Sequence, residues 1–114
     1  MVKHVILWKL KEELTAEEKE NVKAGIKEGL EGLAGKVPGL VDVKVNINGL
    51  PTSTVDVMLD TTFTDADALK AYSTNPFHVA IADGKVRPYT AVRSCLDYEA
   101  VSYTHLTLPT NSLV

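Results

Sequence analysis

Val2 to Leu10 reads as a β-strand that is apolar on both of its faces. Val2, His4, Ile6, Trp8 and Leu10 fall on one side, and Lys3, Val5, Leu7 and Lys9 on the other. Successive side chains point to opposite sides of a strand, so this one asks for cover twice. The chain has 114 residues, enough for one domain with a small core but not for two. The opening strand therefore predicts a sheet covered on both faces.

The elements that follow supply the layers. Thr15-Ala16-Glu17-Glu18 has the form of a capping box, and Val22, Ile26, Leu30 and Leu33 recur at helical spacing behind it. Gly35 and Pro38-Gly39 supply the stop. Gly25, Gly29 and Gly32 lie on one stripe of this helix, each costing roughly 1 kcal/mol against Ala. Local tolerance is the reading adopted for them, with close approach of another backbone, or room for a ligand, as the alternative. Leu40 to Asn48 and Thr54 to Phe63 alternate as two strands joined by the Asn48-Gly49-Leu50-Pro51 turn, an antiparallel hairpin. A second helix starts at Thr64-Asp65-Ala66-Asp67 and runs to about Ser73. Asn75-Pro76 starts a third, which runs to about Val86. Val92 to Glu99 is the last strand. The order is βαββααβ, an α+β sandwich with helices on one face of an antiparallel four-stranded sheet.

Charge and cysteine narrow the function classes. Twelve Lys and Arg against 15 Asp and Glu leave a net charge of -3, against a nucleic-acid surface. No apolar run approaches the roughly 20 residues of a membrane span, and the interrupted start MVKHVILWKL is no signal peptide. A single cysteine, Cys95, excludes an internal disulfide and fits a reducing, cytoplasmic compartment. Cys95 itself reads as a small core residue.

Val101 to Val114 contain no Asp, Glu, Lys or Arg. The run VSYTHLTLPT resembles one reading frame of the transposon-end adapter used in sequencing libraries. The adapter's index and stop codon account for Asn111, Ser112, Leu113 and Val114. The expectation is a domain over residues 1–100 and a non-native, disordered tail over 101–114, with no role for Tyr103 or His105.

Within the domain, His78 falls in the first turn of the third helix, where the helix dipole disfavours imidazolium. A neutral imidazole is a general base near pH 7. Tyr72 precedes it by six residues across an Asn-Pro corner, so phenol and imidazole can enter one cavity. His4 sits among Ile6 and Trp8 on the inward face. No HxH, HExxH, P-loop, GxGxxG or GxSxG occurs, so neither a metal site nor a cofactor is expected. Arg87 and Arg93 read as solvated surface cations rather than an anion site.

The segments VKHVILWKLKEELTAEE, VPG, TVDVMLDTTF, DADALKAYSTNPFHVAIADGKVRPY and CLDYE together resemble the stress-responsive α/β-barrel (Dabb) domain family, over residues 1 to 99. The resemblance implies a ferredoxin-like subunit and a homodimer in which two open sheet faces close a dimeric α/β barrel. That partner would supply the second cover the first strand asks for. It also implies a choice of function. One possibility is a small-ligand-binding dimer without an established reaction. Another is a cofactor-independent enzyme similar to plant polyketide cyclases, acting on a small hydrophobic or polyketide-like ligand. The third is a cofactor-free monooxygenase. In the cyclase-like case the catalytic residues are His78 as base, Tyr72 as its partner and hydrogen-bond donor to the substrate oxygen, and His4, orienting or lining the pocket, with Ile6, Trp8, Val22, Ile26, Leu59 and Phe63 forming the walls. The chain departs from that branch at Asn75, where a further His is usual, and at Val22, where an aromatic is usual.

Overall fold

The computed structural model describes residues 1–100; the segment 101–114, and with it the adapter reading, lies outside the described residues. The first strand, β1 (Val2–Leu10), alternates buried and half-buried along its whole length. It is followed by α1 (Ala16–Glu31), β2 (Leu40–Asn46), β3 (Val57–Phe63), α2 (Ala66–Thr74), α3 (Pro76–Ile81) and β4 (Thr90–Glu99). The strands form one antiparallel sheet in the order β2-β3-β1-β4, with the helices on one side, as the sequence order predicts.

Local chemistry sets the boundaries. The capping box forms: Thr15 Oγ1 accepts from the Glu18 N–H at 3.1 Å, and Glu18 Oε1 accepts from the Thr15 N–H at 2.8 Å. Gly39 turns the chain into β2 at φ +82°, and a Cβ there would lie 2.4 Å from the Ala68 Cβ of α2. Only glycine fits that approach. The stripe on α1 divides. Gly25 has nothing near its missing side chain, whereas a Cβ on Gly29 would lie 2.9 Å from the Ile81 side chain. The edge strand β2 is clipped to α1 through Glu31, which accepts from the Val45 N–H at 2.9 Å and from Lys27 at 2.8 Å. Lys27 in turn donates to the Val45 carbonyl. Those bonds occupy backbone groups that an open edge would offer to another chain.

One expected helix is divided. The third helix ends at Ile81; Ala82–Val86 form a π-helical turn and Arg87–Tyr89 a 3-10 turn. The wider turn carries Ala82 and Val86 inward, and both are buried. Pro88, which cannot continue an α-helix, lies within the 3-10 turn.

The core lies between sheet and helices. Ile26 and Leu30 from α1 pack over Val43, Val45, Val57, Leu59 and Phe63. Among the described residues nothing covers the other face of the sheet, and Val92, Leu96 and Tyr98 on it are 52%, 63% and 44% exposed.

A candidate site between β1, α2 and the 82–93 segment

Three side chains singled out by sequence meet on one cavity of about 180 Å³, lined by His4, Tyr72 and His78 together with Ile6, Trp8, Leu69, Ser73, Ala82, Val86, Arg87, Thr90 and Arg93. The Asn75 corner builds it. Asn75 Oδ1 accepts from the Phe77 N–H at 2.9 Å, and the Asn75 N–H donates to the Tyr72 carbonyl at 3.1 Å. This fixes the α2-to-α3 turn and brings the Tyr72 and His78 rings to 4.1 Å between centroids. His4 reaches the same space from β1, its ring edge-on to Tyr72 at 6.1 Å.

The polar atoms of this site are unevenly paired. Tyr72 is 1% exposed. Its Oη and His78 Nδ1 are buried with no hydrogen-bond partner among the described residues. Leaving such a group unpaired costs about 1–3 kcal/mol. Burial pushes the Tyr72 phenol up to about 12. Burial is also the main cause that holds His78 below the usual histidine range; the positive charges of Arg87, His4 and Arg93 add to it, and the Ser73 backbone acts the other way. The helix dipole expected from sequence has little reach, because α3 is only six residues long. Tyr72 is therefore a protonated donor near neutral pH, and His78 favours the neutral imidazole.

His4 is held differently. Its Nδ1 lies 2.5 Å from Asp97 Oδ1, and its carbonyl accepts from Thr61 Oγ1 at 2.6 Å. Burial works to raise the Asp97 carboxyl, but the hydrogen bond and charge of His4, with smaller help from Cys95 and Arg93, outweigh it and hold the group below the usual carboxylate range.

The expected walls are only partly right. Ile6 and Trp8 line the cavity. Ile26, Leu59 and Phe63 do not; they are fully buried in the core, and Phe63 backs Tyr72 edge-on at 5.0 Å. Val22 faces a separate, more open groove with Leu14, Gly25 and Tyr89. Gly25 borders that groove, with nothing near its missing side chain. Arg87 and Arg93, read from sequence as solvated surface cations, instead line the cavity, because β4 begins at Thr90 directly after the 3-10 turn. The expectation that Cys95 is a core residue fails as well: it is exposed. Its β4 strand brings it beside His4 and Asp97, a grouping of possible metal ligands that no short motif announces. The signal was present in parity: Arg93, Cys95 and Asp97 stand opposite Trp8, Ile6 and His4 in the β1–β4 register.

A family model described as "Stress responsive A/B Barrel Domain" matches residues 2–100. Among solved structures, a dimeric protein of unknown function with a ferredoxin-like fold from Bacteroides fragilis is 34% identical, with a TM-score of 0.82 over 87% of this chain and 95% of that one. A Dabb family protein with a ferredoxin-like fold from Mesorhizobium loti is 17% identical, with a TM-score of 0.67 over 89% of this chain and 97% of that one. The hydroxynitrile lyase from Passiflora edulis is 16% identical, with a TM-score of 0.64 over 95% of this chain and 96% of that one. The last two share the fold alone. No curated protein sequence matches. Among the described residues, no helix is long and apolar enough to cross a membrane.

Proposed function

Since this chain belongs to the stress-responsive A/B barrel (Dabb) domain family, we propose that it is a homodimer that binds a small, polar-edged molecule between β1, α2 and the 82–93 segment. The observation that carries the ligand reading is the pair of unpartnered buried atoms, Tyr72 Oη and His78 Nδ1, on one cavity. A ligand oxygen that met the Tyr72 hydroxyl, with a donor for His78 Nδ1, would pair both. The volume limits the occupant. About 180 Å³ is below the roughly 300–1,000 Å³ of pockets for drug-sized ligands. It suits a single ring or a short chain, and it argues against an extended polyketide.

The dimer reading rests on the open sheet face. Val5, Leu7, Met58, Val92, Leu96 and Tyr98 share it by register. A contiguous apolar face of this kind is the usual mark of an interface between proteins. The Bacteroides fragilis relative is dimeric. The single cysteine supports a cytoplasmic setting, and the domain in this reading comprises residues 1–100, with 101–114 as the adapter-derived tail.

A second reading is favoured by the neutral state of His78 next to a protonated Tyr72. In it the protein is a cofactor-independent enzyme. His78 takes a proton from a carbon beside a carbonyl, and the Tyr72 hydroxyl donates to the enolate oxygen. Arg87 and Arg93 stand where they can attract an anionic substrate.

The test starts with native mass spectrometry of the purified protein and identification of any extracted molecule. Titration with one-ring and short-chain carbonyl compounds follows, against Tyr72→Phe and His78→Gln. Weakened binding in both variants supports the ligand reading; unchanged binding overturns it. Exchange of the ligand's α-hydrogen with deuterated solvent, lost in His78→Gln, supports the enzyme reading. Binding without exchange removes that reading and leaves the first.

A further inference from the structure

We propose that His4, Cys95 and Asp97 form an open three-ligand site for a zinc-class divalent ion, which shares His4 with the cavity of Tyr72 and His78 but uses neither of those residues as a ligand. Their ligating atoms all lie within 4.8 Å of one another. Cys95 Sγ is 3.8 Å from His4 Nδ1 and 3.4 Å from Asp97 Oδ1, and His4 Nδ1 is 2.5 Å from Asp97 Oδ1. A tetrahedral zinc ion sets edges of about 3.5 Å from sulfur and about 3.4 Å between nitrogen and oxygen. The two sulfur edges already fit. The nitrogen–oxygen edge opens by about 0.9 Å when the ion replaces the hydrogen bond.

The surroundings suit an open site. The His4 ring is set by its neighbours, edge-on to Phe63 at 6.3 Å and to Tyr72 at 6.1 Å. Its backbone is tied down by Thr61. Cys95 and Asp97 face a shallow opening shared with Ser73, Lys70 and Arg93, which gives an ion a path from solvent and a water the fourth position. Thiolate, imidazole and carboxylate in one set favour zinc or cobalt over magnesium or calcium, which prefer oxygen donors throughout. Lys70 and Arg93 would repel a bare cation. A thiolate and a carboxylate offset the ion's two charges, so the loaded site is neutral and that repulsion largely vanishes. Loading transfers the thiol proton to solvent and leaves His4 neutral, with its remaining proton on Nε2.

The experiment titrates the metal-free full chain with Zn²⁺ by calorimetry and with Co²⁺ by absorbance. The expected result is one ion per chain, release of at least one proton, and a thiolate-to-cobalt charge-transfer band that Zn²⁺ abolishes. Cys95→Ser should remove the band and weaken binding by more than ~100-fold, beyond the loss of an outer-shell partner. Asp97→Asn should weaken binding while keeping the band. Both residues are accessible, so circular dichroism will report both variants folded even if His4→Gln is not. Absence of saturable one-to-one binding overturns the proposal, as does a cobalt complex that lacks the band or survives Cys95→Ser.

Discussion

The helix-covered face of the sheet has two halves that differ in kind. Under α1, β2 and β3 present Val43, Val45, Val57 and Leu59, and the helix closes on them with Ile26 and Leu30. Under α2, α3 and the π-helical turn, β4 presents Arg93, Cys95 and Asp97 at the positions its register gives to the same face. Apolar residues on both layers produce a sealed core; polar residues on one layer leave a cavity. The alternation of β4 is inverted relative to the other strands, since its large apolar side chains, Val92, Leu96 and Tyr98, face away from the helices. One strand therefore opens the candidate site on one side and furnishes the dimer face on the other. A shift of β4 by one residue would exchange the two.

The largest expected effect lies on that outer face. Burying a Leu side chain contributes about 1.5–3 kcal/mol, and a two-fold interface counts each substitution twice. Leu96→Asp should therefore weaken association by at least ~3–6 kcal/mol, giving monomers by light scattering at micromolar concentration. The inner core is untouched, so circular dichroism should remain that of a folded chain. A variant that stays dimeric would mean that Leu96 is not at the interface. On the sealed half, Leu59→Ala should cost about 2–5 kcal/mol in urea unfolding. Leu69→Ala, on a half-buried residue beside the cavity, should cost less. Equal losses at the two positions would erase the distinction between the halves.

The sealed half was the more legible of the two. The second and third strands pair antiparallel as expected, but β2 ends at Asn46 and β3 begins at Val57, so the connection is longer than the 48–51 turn. β1 alternates as its sequence does and the Thr15 box forms, because each rests on contacts within a few residues or on strict two-residue periodicity. The Tyr72–His78 meeting was legible for the same reason: one Asn-Pro corner separates them. Pocket walls were not, because Ile26, Leu59 and Phe63 carry the same hydrophobic signal whether they line a cavity or fill a core. Only the packing of α1 decides. The grouping of His4 with Cys95 and Asp97 spans more than 90 residues of chain and depends on the β1–β4 register, which no local pattern states. The end of α3 was missed because a π-helical turn keeps nearly the same apolar spacing as the helix it interrupts.

A smaller effect separates the halves by pH. His78 is held below its unfolded value, so between the two values the unfolded chain binds more protons than the folded one. Stability contributed by the neutral imidazole is complete above the ordinary histidine range and falls as pH drops below it, toward the folded value. One proton limits the slope to about 1.4 kcal/mol per pH unit. Urea unfolding between pH 7.5 and 5 should show this slope in the unaltered protein and a reduced one in His78→Gln. An identical slope in both would assign the pH dependence to other groups.

The smallest expected effect on stability is the most informative about the cavity. Tyr72→Phe keeps the ring that packs on Phe63 and His78 and removes only the hydroxyl, which no group among the described residues meets. An apolar replacement of the same shape for an unpaired polar group is nearly neutral or stabilising. The variant should therefore unfold within about 1 kcal/mol of the unaltered chain, on either side. Ligand binding should move further: a hydrogen bond worth about 0.5–1.5 kcal/mol is lost, which is about 2- to 12-fold in affinity. A residue kept for packing would show neither change, and one kept for a structural hydrogen bond would lose stability first. Loss of affinity with unchanged stability is the outcome that belongs to a hydroxyl held for a ligand.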